Sequence, residues 1–370
     1  MRLLGRTPSH TECGVQANVE LTFDSFASTI AFTLDECGGS AMSTIQASAV
    51  LPEIEEIRAA AQAVYRLMPP TPQYRWPLLC QRLGADVWVK HENHTPIGAF
   101  KARTAIVYVE QLLKREPGTR GLLAATRGNH GQSVALAAQR KKLDCVIVVP
   151  RGNSTSKNAA MQAQGARLIE YGEDFQSSLE HANRLAAEMG YHLVPPYHRD
   201  IVLGVATYWL ELLTAVPDID VAYVPIGMGS GVCSGAAVRN GLGLRTKLVG
   251  VVSEHAPTYA LSIEKRQIVE SPAQAVLADG LSCRRGNESA LQVMLSNVDH
   301  VARVSDAEVA NAMRIFFTDT HNVVEGAGAA GLAAAAKEGT MIQGKRVAVI
   351  ATGGNVDPDV FARVLSETRA

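Results

Sequence analysis

The sequence lacks the features that mark several classes of protein. Its six cysteines form no CxxC pair and no tight framework, which argues against a structural zinc site and indicates free thiols in a reducing compartment. No apolar run reaches the length of a membrane span, and no continuous hydrophobic segment follows the first basic residues. Lysine and arginine are scattered, and the formal net charge is −1. We therefore expect a cytoplasmic protein with neither nucleic-acid nor membrane partners.

Internal repeats, low-complexity segments and Pro/Gly/Ser linkers are missing as well. The 370 residues are 47% hydrophobic and 19% charged, which is ordinary for a globular protein of one large domain or two interleaved ones. Residues 1–41 carry no sustained hydrophobic period. We expect residues 1–50 to form a poorly ordered extension, and any domains beyond it to be closely joined.

Beyond residue 50, short apolar strands alternate with helices. The pattern predicts strands over residues 87–89, 122–125, 145–149, 167–170, 191–194, 221–224, 247–252 and 346–350. It predicts helices over residues 51–67, 131–139, 156–164, 174–189 and 232–240, and a final helix from residue 357. This alternation is typical of an α/β fold with a mainly parallel sheet covered on both faces. Ligands in that class bind at the carboxyl ends of the strands.

One lysine stands out by its position. The stretch HENHTPIGAFKART at residues 91–104 follows a predicted strand and carries turn residues at 95–98, so Lys101 is expected to open the next helix. A helix N-terminus favours anions, so this lysine does not complement the helix dipole. Two interpretations are open. Lys101 either extends from a first helical turn to solvent, or has a desolvated, nucleophilic amine.

Three strand-to-helix junctions are richer in glycine and polar residues than a packing turn requires. In ATRGNHG at 125–131, glycines let the backbone approach a ligand and an asparagine offers a hydrogen bond to an oxygen. In ATGGN at 351–355, a hydroxyl is available for a ring nitrogen. The alternative at both junctions is a simple cap of the following helix.

The remaining junction, PIGMGSGVCSG at 225–235, has glycines at every second position directly before a helix. Consecutive backbone amides at a helix N-terminus form a ready site for phosphate. A dinucleotide is disfavoured, because no acidic residue is cleanly placed about 20 residues further on and no Walker lysine follows. A single phosphate suits this loop better.

Together these features match what pyridoxal phosphate requires: an imine-forming lysine, a phosphate site, and partners for the ring oxygen and the ring nitrogen. On these motifs the chain resembles the fold type II pyridoxal-phosphate enzymes, in particular the threonine/serine dehydratase and serine racemase family. The motifs follow that family's order, and they are Thr71-Pro72, HENHTPIGAFKAR, TRGNHGQS, GMGSGVCSG, ADGL at 278–281, EGAGAAG at 325–331 and TGGN at 352–355.

The resemblance implies a fold like that of the tryptophan synthase β chain. Two interleaved domains would each contain an open, mainly parallel twisted sheet flanked by helices. A large cofactor-binding domain would comprise residues 51–122 and 197–370, and a small mobile domain residues 123–196.

The resemblance also implies the roles of individual residues toward pyridoxal 5'-phosphate. Lys101 would be the catalytic residue and form the imine, and Phe100 would pack against the cofactor ring. Asn129 would meet the ring's 3-oxygen, and Thr352 would face the pyridine nitrogen. The phosphate would be held by the backbone of Gly227, Met228, Gly229, Ser230 and Gly231.

The chain departs from the family's pattern at several positions. Ala99 stands where a serine usually precedes the Phe-Lys pair, Thr104 replaces a common glycine, and Met228 and Ser230 interrupt the usual glycine loop. The racemases carry a proton-transferring serine at the position of Arg127, and a guanidinium is a poor base. Racemisation is therefore disfavoured. Arg127 is expected either to clamp a substrate carboxylate or to point away toward a surface acid.

The substrate is expected to meet Thr126, Arg127, Gly128 and His130. A metal is not expected, because Glu254 matches the first carboxylate of the racemases' metal site but Ala260 stands where the second would be.

The implied activity is that of a pyridoxal-phosphate-dependent ammonia-lyase (dehydratase), which converts a β-hydroxy amino acid into a 2-oxo acid and ammonia by β-elimination. Threonine and serine are the default substrates, and Arg127 makes hydroxyaspartate or another bulky analogue an alternative. A β-replacement synthase or another ammonia-lyase of the same fold is the second hypothesis, and a non-catalytic cofactor-binding module is the third. We also expect a homodimer with a catabolic role, since the chain ends soon after TGGN without a regulatory domain.

Overall fold

The computed structural model describes residues 51–173 and 175–367. The expected N-terminal extension at residues 1–50 lies outside the described residues. The strands are β1 (Gln73–Arg75), β2 (Asp86–Lys90), β3 (Gly121–Ala125), β4 (Asp144–Val149), β5 (Arg167–Glu170), β6 (His192–Leu193), β7 (Val221–Pro225), β8 (Lys247–Ser253), β9 (His300–Val304) and β10 (Arg346–Ile350). The helices are α1 (Ile54–Tyr65), α2 (Pro77–Leu83), α3 (Lys101–Arg115), α4 (Asn129–Lys141), α5 (Thr155–Ala163), α6 (Phe175–Met189), α7 (Arg199–Ala215), α8 (Ser230–Gly241), α9 (Thr258–Lys265), α10 (Glu288–Asn297), α11 (Asp306–Thr320), α12 (Gly326–Lys337), α13 (Gly339–Ile342) and α14 (Pro358–Ser366).

The strands form two sheets. The larger has the order β1-β2-β10-β7-β8-β9, and its pairs are parallel except for β1 with β2 at one edge. The smaller has the order β5-β4-β3-β6 and is parallel throughout. The α/β fold with two mainly parallel sheets is thus confirmed. The division of the chain at residues 122 and 196 stays a prediction.

Side chains of the larger sheet alternate between two apolar cores. On β10, Val347 and Val349 belong to the core that includes residues of α11 and α12, whereas Ala348 and Ile350 belong to the core that includes residues of α7 and α8. This period of two is the one that a pleated strand imposes. The sheet is therefore covered on both faces, as the near-continuous apolar runs of its strands predict.

Helix α3 lies between the cores of the two sheets. Its Ala102 and Ile106 belong to a core of the larger sheet, while Ala105 and Val109 pack with residues of β3 and β4. The first residue of this helix, Lys101, is therefore held where the two sheets meet.

The predicted element bounds need small corrections. The helix expected at residues 51–67 is the shorter α1, because Glu53 and Glu56 form a capping box that fixes its start. The helix expected from residue 131 begins earlier, at Asn129. Helix α12 shows no hydrophobic period, because its alanines and glycines are nearly all buried and a helix that packs on every side has no polar stripe. No helix in the two described ranges is both long enough and apolar enough to cross a membrane.

Candidate active site

Three of the predicted site segments leave the larger sheet at the same edge. Strands β2, β10 and β7 are neighbours and run parallel, so their carboxyl ends lie side by side. β2 leads to Lys101, β10 leads to Thr352, and β7 leads to the loop at residues 227–231. The topology therefore brings the predicted lysine, hydroxyl and glycine loop to one edge, where α/β folds bind ligands.

Lys101 is the first residue of α3, as the sequence predicts. It is half-buried, and its ammonium lies 5.0 Å from the centre of the Phe100 ring. No carboxylate among the described residues pairs with it. Burial therefore lowers the pKa of Lys101 to about 8, because the charged form loses hydration without gaining a counter-ion. The structure thus supports the desolvated amine rather than a lysine that reaches solvent.

The segment that carries Phe100 and Lys101 is tied to the TGGN loop. The Phe100 amide donates to the Thr352 carbonyl (2.9 Å), and Ala99 forms a β-bridge with Gly353. Thr352 is buried, and within the described chain its hydroxyl has no hydrogen-bond partner. A hydroxyl that is free to bond at this edge fits the nitrogen of an aromatic ring.

The loop at residues 227–231 ends in a helix N-terminus. Gly229 precedes α8 with φ +97°, a conformation that only glycine adopts readily. The first amides of a helix have no intrahelical acceptor, and the described residues supply no other acceptor for the amides of residues 228–231. The Met228 carbonyl instead accepts from the Tyr259 hydroxyl (2.9 Å), which fixes the loop from behind. This set of donors fits one phosphate.

Asn129 lies at the start of α4, after β3 of the smaller sheet. Its Nδ2 donates to Oε1 of Glu325 (2.7 Å), and its Oδ1 accepts from Nδ2 of Asn355 (2.8 Å). The same Asn355 nitrogen donates to the Ile97 carbonyl (2.8 Å). These bonds join the Asn129 loop to both the Lys101 loop and the TGGN loop.

The residues assigned to the substrate surround Asn129. Thr126 is buried, and its hydroxyl accepts from the Gly128 amide (3.0 Å). His130 is half-buried, with Nε2 3.5 Å from the Val194 carbonyl. Burial, followed by the nearby charge of Lys101, lowers the pKa of His130 to about 4, so its ring is neutral at pH 7.

Arg127 is exposed, and no acid in the described part of the chain pairs with it. The alternative in which it turns to a surface acid finds no support in these contacts. Among the described residues, the Arg127 side chain forms no hydrogen bond or ion pair with the other predicted site residues.

Glu325 and a neighbouring ion pair were given no role from the sequence. Lys157 on α5 donates to Oδ2 of Asp279 (2.8 Å), and the charges of Lys157 and Asp279 both act on Glu325. Burial raises the pKa of Glu325 to about 7, and Lys157 opposes that rise. Glu325 and Asp279 occur in the EGAGAAG and ADGL motifs, so the motifs were a usable signal. Lys157 carried none.

The residues compared with a metal site follow β8, the parallel neighbour of β7 in the larger sheet. Glu254 and His255 are exposed neighbours (Oε1 to Nε2, 3.6 Å), and Ala260 is buried. Among the described residues, no group of three or more His, Cys, Asp or Glu side chains is arranged to hold a metal ion. The expectation that no metal is bound stays a prediction.

Comparison with known proteins identifies the family of this chain. The family described as "Pyridoxal-phosphate dependent enzyme" matches residues 64–353. The L-threo-3-hydroxyaspartate ammonia-lyase of Saccharomyces cerevisiae is 32% identical over 86% of this chain and 97% of its own. The L-threonine ammonia-lyase of Thermotoga maritima is 30% identical over 85% of this chain and 78% of its own.

A solved structure is also similar to this chain. Maize serine racemase superposes with a TM-score of 0.79 at 27% identity, over 85% of this chain and 97% of its own. The chain therefore belongs to the pyridoxal-phosphate-dependent enzymes of fold type II, in the threonine/serine dehydratase and serine racemase family.

Proposed function

We propose that this protein is a pyridoxal-phosphate-dependent ammonia-lyase that converts a β-hydroxy amino acid into a 2-oxo acid and ammonia. The observation that carries the proposal is the amine of Lys101, which is desolvated, unpaired within the described chain and half-deprotonated near pH 8. Such an amine is both a nucleophile and a general base near neutral pH.

The residues at the sheet edge fit the cofactor's groups. The free amides of residues 228–231 would hold its phosphate, Thr352 its ring nitrogen, Asn129 its 3-oxygen, and Phe100 a face of its ring. When bound, the cofactor supplies an electron sink for the carbon next to the substrate's amino group. Lys101 would remove the proton from that carbon. The hydroxyl of Thr352 does not deliver a full proton to the ring nitrogen as a carboxylic acid would, which favours loss of the β-hydroxyl over reprotonation.

Arg127 bears on the choice of substrate. Threonine and serine remain the default, since the Thermotoga maritima relative is named for threonine. Two relatives are named L-threo-3-hydroxyaspartate ammonia-lyase, at 32% and 31% identity. An exposed guanidinium without an acidic partner in the described chain is suited to a second carboxylate. Hydroxyaspartate is therefore the alternative substrate that Arg127 supports.

A panel of β-hydroxy amino acids tests the proposal. It contains serine and all diastereomers of threonine and hydroxyaspartate, and release of 2-oxo acid is measured for each. We expect 2-oxo acid and ammonia in equal amounts from at least one member. A panel without keto acid, from protein that carries the cofactor, would contradict the proposal.

The same assay with an added nucleophile separates the second hypothesis. A β-replacement synthase forms a new amino acid only when the nucleophile is present, whereas a lyase releases keto acid without it. A non-catalytic module, the third hypothesis, would show neither product.

The remaining expectations are part of the proposal. The described cysteines, Cys80, Cys145, Cys233 and Cys283, are free and buried, which supports a reducing cytoplasm. Exposed Tyr74 and Leu78, on neighbouring elements at the β1 edge, support a homodimer contact. The four-stranded sheet of β3 to β6 supports a small domain at residues 123–196. Light scattering of the purified protein tests the dimer.

A further inference from the structure

The side chain of Glu325 does not serve the helix that it precedes. It occupies the N-cap position of α12, yet its carboxylate makes no capping bond and accepts from Asn129 instead. Its backbone is fixed by a bond from the Glu325 amide to the Gly353 carbonyl (2.9 Å). A Cβ on Gly353 would meet Oε1 of Glu325, so a side chain at 353 would have to displace the carboxylate from this position. The buried acid is thus built into the site.

The hydrogen bonds around Asn129 have a defined direction. The Ile97 carbonyl can only accept, so Asn355 must present its NH₂ group there. The same NH₂ group reaches Oδ1 of Asn129, which must accept. Nδ2 of Asn129 then faces Glu325, whose carboxylate accepts. The amide orientation of both asparagines follows from one backbone carbonyl.

An amide nitrogen has two hydrogens, and Glu325 takes one of them. Asn129 is therefore left with a single free N–H and an occupied oxygen. That free N–H can donate to a ligand, which suits an anionic ring oxygen.

We propose that Glu325 is a positioning residue that fixes the Asn129 amide with one N–H free for the ring oxygen of bound pyridoxal phosphate. The inference rests on the proposed function only through the cofactor. It also predicts a pH response, because a protonated carboxyl would donate and so compete with the Asn129 N–H. Burial raises the pKa of Glu325 to about 7, with Lys157 on α5 lowering it and Asp279 raising it further.

Two substitutions of Glu325 distinguish its role as a hydrogen-bond acceptor from the effect of its ionisation. Glu325→Gln keeps an acceptor oxygen but cannot ionise, and Glu325→Leu removes the acceptor. The matched control is Glu338→Gln at the other end of α12, where Glu338 bonds Tyr223 (2.7 Å) and His300 (2.9 Å). The readouts are the visible absorbance of the bound cofactor and its dissociation constant between pH 6 and pH 9.

In the wild type and Glu338→Gln, we expect cofactor binding to weaken and the band to shift as the pH falls through about 7. Glu325→Gln should bind as the wild type does at pH 8 and lose the part of the response centred near 7. Glu325→Leu should bind roughly tenfold more weakly throughout, as expected for one lost hydrogen bond to a charged group.

Weaker binding by Glu325→Gln than by the wild type at pH 8, or wild-type binding by Glu325→Leu, would overturn the inference, and the first comparison decides even if the leucine variant does not fold. An identical pH response in the wild type and Glu325→Gln would overturn the predicted pH effect. Because the readouts follow the cofactor alone, a negative substrate panel with a coloured protein contradicts the lyase proposal only. Protein that stays colourless with added pyridoxal phosphate overturns both.

Discussion

Two cations on the first turn of α3 differ in what surrounds them. Arg103 is fully buried and donates to Glu92 (Nε to Oε2, 2.8 Å) and to Glu211 (Nη1 to Oε1, 2.6 Å). Lys101, two residues earlier, has no counter-ion in the described chain. Burial lowers the pKa of both, but Glu92 and Glu211 reverse that effect and raise the pKa of Arg103. The first turn of α3 therefore carries Arg103, which stays charged, and Lys101, which loses its proton near pH 8.

The charges around Arg103 are balanced. We call this the Arg103 cluster, and it consists of Thr71, Lys90, Glu92, Arg103, Thr207 and Glu211. It contains two cations and two carboxylates. Such a saturated network holds β2, α3 and α7 together and has no group left for chemistry. On this helix turn, the paired buried cation stabilises the fold, and the unpaired one is available for reaction.

The largest effect is expected from Lys101→Ala. If the unpaired amine is the reactive group, its removal should lower kcat by roughly 10⁴-fold or more and abolish the visible absorbance of the bound cofactor. Thermal stability of the apoprotein should not fall, since no partner is left unpaired and a buried charge without a counter-ion is removed. The measurements are 2-oxo acid release, absorbance and a melting curve. Lys114→Ala, in the last turn of the same helix, is the control; an unchanged rate in Lys101→Ala would remove the basis of the comparison.

Arg103→Met tests whether the paired cation stabilises the fold. Removing one partner of a buried network leaves Glu92 and Glu211 without their counter-charge, which should lower the free energy of unfolding by about 3–5 kcal/mol. Urea denaturation measures this loss. Arg115→Met on the same helix is the comparison, because Arg115 is about half-exposed and its partner Asp200 also lies near His198, so the loss should be smaller than for Arg103→Met. Equal losses in the two variants would show that the Arg103 cluster is not a structural network.

The pH at which Lys101 reacts sharpens the comparison. Since burial lowers the pKa of its amine from 10.5 to about 8, the rate of cofactor incorporation into the apoprotein should rise with pH up to about 8 and then level off. Between pH 8 and 10.5 the unfolded chain binds a proton that the folded chain does not, so apoprotein stability should rise with pH over this window. Lys101→Met should lack that rise. A rate that still increases near pH 10 would mean an exposed, ordinary lysine.

The parts of this site that follow directly from a strand and its turn could be predicted from the sequence. Lys101, the loop at 227–231 and the TGGN loop each follow an apolar strand with turn residues, so pattern and spacing were sufficient to place them. Glu325 bonds a residue 196 positions away, and Arg103 bonds one 108 positions away. Such partners are set by how the sheets pack, which no local period encodes. The partners of Glu325 and Arg103 could therefore be found only in the structure.

Arg127 extends the comparison to an exposed cation. Its substitution should have the smallest effect. Arg127 is also unpaired in the described chain, but it is exposed, so water already satisfies much of its charge. If it clamps the side-chain carboxylate of hydroxyaspartate, Arg127→Gln should raise KM for that substrate about tenfold and leave KM for threonine unchanged. Arg151→Gln, an exposed arginine after β4, is the control. Equal increases for both substrates would instead place Arg127 at the carboxylate that they share, and no increase for either would place it outside the substrate site.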